Sequence, residues 1–372
     1  MPTRSIILVS DYTNIGGSEH NLLNIAQQLH KWQYPLYLIT SNKGSLFSNF
    51  QAITKSQCIV KFPYPRKLKS WVHYYPFLKT TKSFLSIIPG PLHCIVGDFY
   101  PLWATLKLRK YFPNAKVSAM WQGAFEFCTD ACAAKWIHYG ANNADQLIAS
   151  SPVAAKMNAS CLLSHPVFSL NPRSGYLDNP PLPITKTEAR EKLNWPKTEK
   201  IAICIGRIGK GKGQYWLAES FLNHSELYKK WRLVIVGPMD ENDKPSWSAL
   251  LKKDVQNKIS VLGSRNDISH LLAASDLALF PSLLNESFGL AILEAATMSL
   301  PLLTFDVGAI PYTLGKAYPG IISSHDTQEL INTWNQLDNT SLLKLQTAFP
   351  KKHIQDLLDK DMWMSTLKKI IA

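Results

Sequence analysis

The sequence predicts an α/β protein with two Rossmann-like, doubly wound domains that face a central cleft. Three observations lead to this prediction. The chain has 372 residues, of which 46% are hydrophobic, and this length suits two domains with a core each. Short apolar strands alternate with helical patterns in both halves, as in parallel sheets. Between the halves, residues 164–187 contain five prolines and little periodicity, which indicates a linker.

The predicted boundaries follow from these patterns. We expect a basic N-terminal domain over 1–170, a proline-rich linker over 171–186 and a second domain over 187–352. The last segment, 353–372, is amphipathic, and we expect a terminal helix that packs back on the N-terminal domain.

In the first half, an apolar strand is followed by a glycine turn, a helix and a second strand. These elements are Ile6–Ser10, Gly16-Gly17, Glu19–Leu29 and Leu36–Thr40. Further short strands are predicted at Cys94–Val96, Lys116–Met120 and Gln146–Ala149. This order of elements is the opening of a parallel α/β sheet.

The second half repeats the alternation. Its predicted strands are Ile201–Ile205, Leu233–Val236, Ile259–Leu262, Leu277–Phe280 and Pro301–Phe305. Its predicted helices are Gln214–Tyr228, Ser246–Val255, Ile268–Ala274, Leu290–Met298 and Gln355–Ile371. Ligands of open α/β sheets bind beyond the carboxyl ends of the strands, so we expect the active site in the cleft between the two domains.

Positive charge is concentrated in the first half. The net charge is +13, and residues 1–175 hold 17 Lys and Arg against 6 Asp and Glu. Residues 20–97 contain nine Lys and Arg and no acid. This asymmetry predicts a polyanionic partner, such as membrane headgroups or a phosphorylated acceptor. Nucleic acid is not expected, because no nucleic-acid-binding module is recognisable.

Lysines and aromatic residues are interleaved over 61–88, a mixture that suits a membrane interface. A plain solvated face is the alternative. Apolar runs are too short for a secretion signal or a membrane span. We therefore expect a cytoplasmic protein that associates peripherally with the cytoplasmic face of the membrane. The sequence leaves the oligomeric state open.

The cysteine and acid patterns predict no metal site. Six cysteines are scattered without a C-x-x-C pair, which favours reduced thiols packed in a core. The single D-x-D, Asp359-Lys360-Asp361, falls in the predicted terminal helix and is expected to be solvated.

A glycine-rich loop, Gly206 to Gly213, follows a predicted strand and precedes a helix. Its backbone amides, the helix N-terminus, Arg207 and Lys212 suit a diphosphate. A P-loop is one alternative, but Gly213 stands where a P-loop needs Ser or Thr. A glycine-rich loop with solvated basic residues is the other alternative.

A second motif joins the end of a buried strand to the start of a helix. Glu286 lies in the turn and Glu294 follows in the helix, with free amides expected at Phe288, Gly289 and Leu290. A carboxylate in such a place can accept hydrogen bonds from the paired hydroxyls of a sugar or ribose. For Glu294 alone, a solvated helix position is the alternative.

Together these motifs resemble the retaining glycosyltransferases of family 4, within the glycosyl transferases group 1, which have the GT-B fold. The matching segments are Gly206-Arg207, Lys212-Gly213, Glu286-x7-Glu294, Leu262-Gly263, Asp267-Ile268, Leu271–Asp276, Pro281-Ser282, Ser299–Pro301 and Asp306–Pro311. Gly16-Gly17-Ser18-Glu19 is similar to the acceptor-side glycine loop of that family.

The resemblance implies a role for each matched residue. Arg207 and Lys212 would bind the diphosphate of a UDP-, GDP- or ADP-sugar donor, Glu286 the donor sugar and Glu294 the ribose. Backbone groups would complete the substrate site, with no metal and no cofactor. These backbone groups belong to Gly16, Gly17, Gly263, Ser264, Phe288, Gly289 and Leu290. The acceptor would be a glycan, lipid-linked or phosphorylated compound in cell-surface polysaccharide or lipopolysaccharide synthesis.

One position departs from the family pattern. Relatives often carry a His after the strand that ends near Trp121, where this chain has Gln122. Gln can hydrogen-bond a hydroxyl but takes no proton at neutral pH. Asp98, at the end of another strand of the first domain, is the nearest acidic candidate for the role of that His. The alternative is that Asp98 is a helix cap or loop residue. Two other functions stay open: a nucleotide-sugar epimerase or sugar phosphorylase, and a non-catalytic nucleotide-sugar binder.

Overall fold

The computed structural model describes residues 4–13, 16–63, 72–97, 99–121, 131–157, 165–173, 184–323 and 326–372. The chain divides into two compact units. Unit 1 comprises Met1–Gly175 together with Asp359–Ala372, and unit 2 comprises Tyr176–Leu358. The predicted linker 171–186 lies partly outside the described residues, since 174–183 are not among them.

Unit 1 contains a seven-stranded parallel sheet in the order β3-β2-β1-β4-β5-β6-β7. Its strands are β1 (Ser5–Ser10), β2 (Leu36–Thr40), β3 (Ser56–Ile59), β4 (Leu92–Val96), β5 (Lys116–Trp121), β6 (Gln146–Ala149) and β7 (Val167–Ser169). Strand β1 lies at the centre, and all six of its residues are buried. A continuous apolar run is what a strand covered on both faces requires.

The helices of unit 1 cover both faces of this sheet. They are α1 (Gly17–Lys31), α2 (Phe47–Ile53), α3 (Tyr74–Ser86), α4 (Phe99–Lys107), α5 (Ala131–Asn143), α6 (Pro152–Met157) and the terminal α17 (Lys360–Ile371). Alternate residues of β1 enter different cores: Ile6 and Leu8 pack with α1 and α17, whereas Ile7 and Val9 pack with α3 and α4. The sheet is therefore doubly wound.

Helix α17 is part of the core of unit 1. Trp363, Leu367 and Ile370 are buried among residues of β1, β2 and β6. The Trp363 indole donates a hydrogen bond of 3.1 Å to the carbonyl oxygen of Asn171. The Gln146 side chain donates to the carbonyl oxygen of Ile370 at 2.7 Å.

Unit 2 contains a six-stranded parallel sheet in the order β10-β9-β8-β11-β12-β13. Its strands are β8 (Lys200–Ile205), β9 (Trp231–Val236), β10 (Ile259–Val261), β11 (Leu277–Phe280), β12 (Leu302–Phe305) and β13 (Ile321–Ile322). The predicted α/β class with two parallel sheets is therefore confirmed.

The helices of unit 2 alternate with these strands. They are α7 (Lys186–Leu193), α8 (Gln214–Asn223), α9 (Ser225–Lys230), α10 (Lys244–Leu251), α11 (Ile268–Ala274), α12 (Leu290–Thr297), α13 (Ile310–Leu314), α14 (Thr327–Gln336), α15 (Asn339–Thr347) and α16 (Lys351–Leu357).

Two predicted helices are each divided in the structure. The expected helix 214–228 is interrupted at His224, whose backbone is extended (φ −106°, ψ 95°), and becomes α8 and α9. The expected terminal segment 353–372 belongs to both units, because α16 ends at Leu357 and α17 begins at Lys360. Asp359 caps α17 by accepting a hydrogen bond of 2.9 Å from the Met362 amide, which starts a new helix there.

Candidate functional site

In unit 2 the two predicted motifs follow neighbouring strands. Strands β8 and β11 pair at the centre of the sheet, and the chain runs outward from them in opposite directions. Such a reversal is a topological switch point, where loops diverge and leave room for a ligand. The glycine-rich loop 206–213 follows β8, and the turn 281–289 follows β11.

The glycine-rich loop is fixed to the sheet edge by backbone hydrogen bonds. The Gly206 amide donates to the carbonyl oxygen of Val236 at 2.9 Å, and the Ile208 amide donates to that of Pro238 at 2.9 Å. The loop then forms a 3-10 turn at Lys210–Lys212 and reaches α8 through Gly213. Gly213 has φ +77°, a conformation that favours glycine.

Gln214, the first residue of α8, holds the backbone of this loop through a side-chain hydrogen bond. Its side chain is 2% exposed. Its Nε2 atom donates to the carbonyl oxygen of Arg207 at 3.0 Å. Its Oε1 atom is buried and accepts no hydrogen bond from the described residues. We did not single out Gln214 from the sequence, where the only signal was its position directly after Gly213.

Lys212 and Glu286 form an ion pair between the two motifs. The Lys212 ammonium contacts Glu286 Oε1, with side chains that are 38% and 18% exposed, respectively. A second link is the Leu283 amide, which donates to the carbonyl oxygen of Gly211 at 3.1 Å. Two residues that are 74 positions apart in the sequence therefore share one half-buried charged site.

The loop after β12 holds the backbone of Glu286. The Ala309 amide donates to the Glu286 carbonyl oxygen at 2.7 Å. Gly308 has φ +58°, and a Cβ atom there would overlap the same oxygen and lie 2.7 Å from the Glu286 nitrogen. Any larger side chain at position 308 would displace Glu286.

The start of α12 offers backbone donors beside Glu286. Gly289 is the residue that precedes the helix. Among described residues, no acceptor pairs with the amides of Phe288, Gly289 and Leu290. Such amides carry the partial positive charge of a helix N-terminus and suit an anion. Glu294 lies half-buried in the same helix.

Arg207 is exposed, and within the described parts of the chain its guanidinium has no ion-pair partner. Gly263 and Ser264 follow β10 on the same edge of the sheet, and the Gly263 carbonyl oxygen accepts from the Gly237 amide at 2.9 Å. Close by, the Arg265 guanidinium binds both carboxylate oxygens of Asp267, which holds the pKa of that carboxyl below its usual range.

In unit 1 the predicted acceptor-side loop precedes α1. Gly16 has an extended backbone (φ −163°) and caps the helix, and Gly17 is exposed. His20 lies in the first turn of α1, where burial lowers the pKa of its imidazole below the usual value. Gln122 and Asp98 lie outside the described residues, so their predicted roles stay predictions.

Asp276, which was expected only as part of a matching segment, has a structural role. Its carboxylate accepts from Lys186 at 2.7 Å, from Arg190 at 2.6 Å and from the Ile201 amide at 2.7 Å. The Arg190 side chain is only 5% exposed. Asp276 therefore fixes α7 to the start of β8, at the opposite edge of the sheet from Lys212.

We expect Asp276→Asn to lower the free energy of unfolding by about 2–4 kcal/mol, because a buried guanidinium loses its counter-charge. Donor binding by the folded variant should stay unchanged. Chemical denaturation measures the first effect and a donor titration the second. Glu191→Gln is the matched control, since the Lys197–Glu191 pair is exposed and should matter by less than about 1 kcal/mol. Equal stability losses in the two variants would contradict this role.

Three of the cysteines are packing groups. Cys58, Cys94 and Cys204 are buried and free. Burial raises the pKa of the Cys204 thiol to about 12, so it stays protonated at neutral pH. Among the described residues, no three or more His, Cys, Asp or Glu side chains cluster so that they could hold a metal ion. Nor does any described helix combine the length and apolarity needed to cross a bilayer.

Comparison with known proteins shows what unit 2 is similar to. Residues 185–349 match the family model of the glycosyl transferases group 1, so the predicted resemblance to that group is confirmed over this segment. The Escherichia coli K12 lipopolysaccharide glucosyltransferase WaaG is 28% identical over 181 residues, 48% of this chain and 48% of WaaG. An E. coli UDP-Gal:alpha-D-GlcNAc-diphosphoundecaprenol alpha-1,3-galactosyltransferase is 26% identical over 168 residues, 44% of this chain and 43% of the enzyme.

These matches span less than half the length of the curated relatives. The fold extends over the whole chain. The crystal structure of Anabaena HepE in complex with UDP-glucose superimposes with a TM-score of 0.78 at 15% identity, covering 99% of both chains. The two units therefore have the GT-B fold.

Proposed function

We infer that this chain, whose residues 185–349 match the family model of the glycosyl transferases group 1, transfers a sugar from a nucleotide-diphosphate sugar to an acceptor. The observation that carries this proposal is the ion pair between Lys212 and Glu286 at the switch point of unit 2. A cation for the diphosphate and a carboxylate for the sugar hydroxyls lie side by side there. This arrangement suits the two adjoining parts of one donor.

Three kinds of positive charge converge on the diphosphate in this proposal. Lys212 supplies an ammonium, Arg207 an exposed guanidinium, and the start of α12 its backbone amides. Because an ammonium has three donor hydrogens, Lys212 can bind a phosphate oxygen while it still contacts Glu286. The donor is a UDP-, GDP- or ADP-sugar. The UDP-glucose in the HepE complex supports the first of these.

The reaction breaks the bond between the anomeric carbon and the diphosphate oxygen, and the acceptor oxygen forms a new bond to that carbon. Negative charge grows on the departing phosphate as the bond breaks. Lys212, Arg207 and the amides of Phe288 to Leu290 stabilise this charge from fixed positions. The departing phosphate oxygen takes the acceptor proton, so attack occurs on the same face and the anomeric configuration is retained. Charge is offset by the two cations, without a metal.

Glu286 and Glu294 have different parts in this scheme. Glu286 accepts hydrogen bonds from the donor sugar beside the reacting carbon, and Glu294, farther along α12, binds the ribose. A loss of Glu286 should therefore change turnover, whereas a loss of Glu294 should mainly change donor affinity. The acceptor is a glycan or a lipid-linked compound in cell-surface polysaccharide or lipopolysaccharide synthesis, a proposal that the named activity of WaaG supports.

A thermal-shift panel of nucleotide sugars tests the donor site. We expect one donor to stabilise the wild type, and Arg207→Ala to bind it about 10- to 100-fold more weakly, because a charge-assisted hydrogen bond contributes about 1.5–3 kcal/mol. Lys229→Ala is the control, since that lysine is exposed in α9 of the same unit. Equal donor stabilisation of wild type and Arg207→Ala would refute the diphosphate assignment.

Product analysis with the identified donor separates the candidate activities. Release of nucleoside diphosphate only in the presence of an acceptor is expected for the transferase. Formation of an epimer without acceptor would instead identify an epimerase. Formation of a sugar 1-phosphate from a glycan and inorganic phosphate, without a nucleotide sugar, would identify a phosphorylase. Donor binding without turnover would identify a non-catalytic binder.

A further inference from the structure

Helix α3 of unit 1 presents an apolar and basic stripe to solvent. Val72, just before the helix, is 68% exposed, and Tyr75 is 72% exposed. Lys79 and Lys82 continue the same face at helical spacing, and Ile87, just after the helix, is 79% exposed. We call these five residues the α3 face. Exposed apolar side chains of this size at both ends of one helix, with lysines between them, are typical of an interaction surface.

The opposite side of α3 is firmly packed. Phe77, Thr81 and Leu85 are buried. The Phe77 ring lies 5.3 Å from the Phe62 ring, and the Tyr74 ring lies 5.7 Å from the Trp103 ring, measured between centroids. The packed side of α3 therefore fixes the helix to the rest of unit 1. The side chains of the α3 face take no part in the core.

The sequence on both sides of α3 carries positive charge. Residues 20–125 contain thirteen Lys and Arg and a single acid, Asp98, which lies outside the described residues. Lys61 is exposed near the end of β3, and the Lys82 ammonium lies 4.6 Å from the centroid of the Tyr111 ring. An anionic partner would meet almost no opposing negative charge along this part of the chain.

We propose that the α3 face docks this protein on an anionic lipid bilayer. Lysines at the rim contact the headgroups, while Val72, Tyr75 and Ile87 enter the boundary between headgroups and acyl chains. Single-stranded nucleic acid fits less well, because bases stack on aromatic rings and the aliphatic Val72 and Ile87 offer them no partner. Docking follows from charge and exposure alone. That it brings the active site to a lipid-linked acceptor rests on the proposed function.

Vesicle co-sedimentation tests this surface on the full chain without any donor. We expect binding to phosphatidylglycerol–phosphatidylcholine vesicles, little binding to phosphatidylcholine alone, and release at high salt. The double variant Lys79→Glu/Lys82→Glu should bind about 30-fold or more weakly. Lys252→Glu/Lys253→Glu in unit 2 makes the same change in net charge on two exposed lysines and should bind as the wild type does.

A second pair of variants examines the apolar contribution. Val72→Ser/Ile87→Ser keeps every charge, and we expect at least about tenfold weaker binding to anionic vesicles. Both α3 variants should transfer sugar to a short soluble acceptor at the wild-type rate, which separates this proposal from the proposed function.

Three results would overturn the docking surface. They are absence of vesicle binding by the wild type, an equal loss in the control from unit 2, and full binding by both α3 variants. Tighter binding of an oligonucleotide than of anionic vesicles would assign the face to nucleic acid instead.

Discussion

Replacing Lys212 by Met is expected to lower kcat/KM for sugar transfer by about 100- to 1000-fold. The Lys212 ammonium contacts Glu286 at the switch point between β8 and β11, where the donor diphosphate is proposed to bind. Met removes the charge but keeps an unbranched side chain of similar length. The variant also leaves Glu286 without its counter-charge, so the sugar-binding carboxylate loses its fixed position.

Steady-state kinetics with varied donor and fixed acceptor measures this effect. Most of it should appear in kcat, because the leaving phosphate carries more charge in the transition state than in the bound donor. Lys244→Met is the matched control, since the Lys244–Glu241 pair in unit 2 is exposed and lies at the start of α10. A surface effect changes activity by about threefold at most. If the activity of Lys212→Met stayed within that range of the control, Lys212 would be excluded from the reaction.

Replacing Gly213 by Ala is expected to lower the free energy of unfolding of unit 2 by about 2–5 kcal/mol. The positive φ of +77° costs a Cβ-bearing residue about 1–2 kcal/mol. The new methyl group would also overlap the Pro281 carbonyl oxygen and lie 2.6 Å from the Trp216 Nε1 atom. Overpacking of this kind costs about 1–3 kcal/mol more. Because Lys212 is the preceding residue, transfer should fall with stability.

Gly209→Ala is the control within the same loop. Gly209 has an extended backbone (φ −172°), and a Cβ atom there would meet nothing within 4 Å. We expect this variant to keep wild-type stability in chemical denaturation and wild-type donor binding. If both glycine variants were equally stable, the close approach of the loop to the turn after β11 would not constrain the site.

The central strands could be predicted because their sequences satisfy a simple physical condition. Strands such as β1, β2 and β11 are covered on both faces, so every residue is apolar or small and buried. The edge strand β3 was not predicted, since only Cys58 among its four residues is buried. Strands β7 and β13 are three and two residues long, too short to produce a pattern.

The site motifs were also visible in the sequence, because each occupies one continuous loop. The contacts that build the site were not visible. The ion pair of Lys212 with Glu286 joins residues 74 positions apart, and Gly308 supports Glu286 from a third loop. The ion pair depends on strand order, since β8 and β11 are neighbours in the sheet but not in the chain, and the support by Gly308 depends on the pairing of β11 with β12. Asp276 is a similar case, with partners on α7 and β8.

The position of α17 makes unit 2 a continuous insert in the connectivity of unit 1. The chain leaves unit 1 at Gly175 and returns to it at Asp359, and the returning helix supplies Trp363 and Leu367 to its core. A gene truncated after Leu358 would encode every residue of unit 2 yet leave an apolar face of unit 1 uncovered. Unit 2 is therefore encoded by one uninterrupted segment, whereas unit 1 is assembled from two segments that are separate in the sequence.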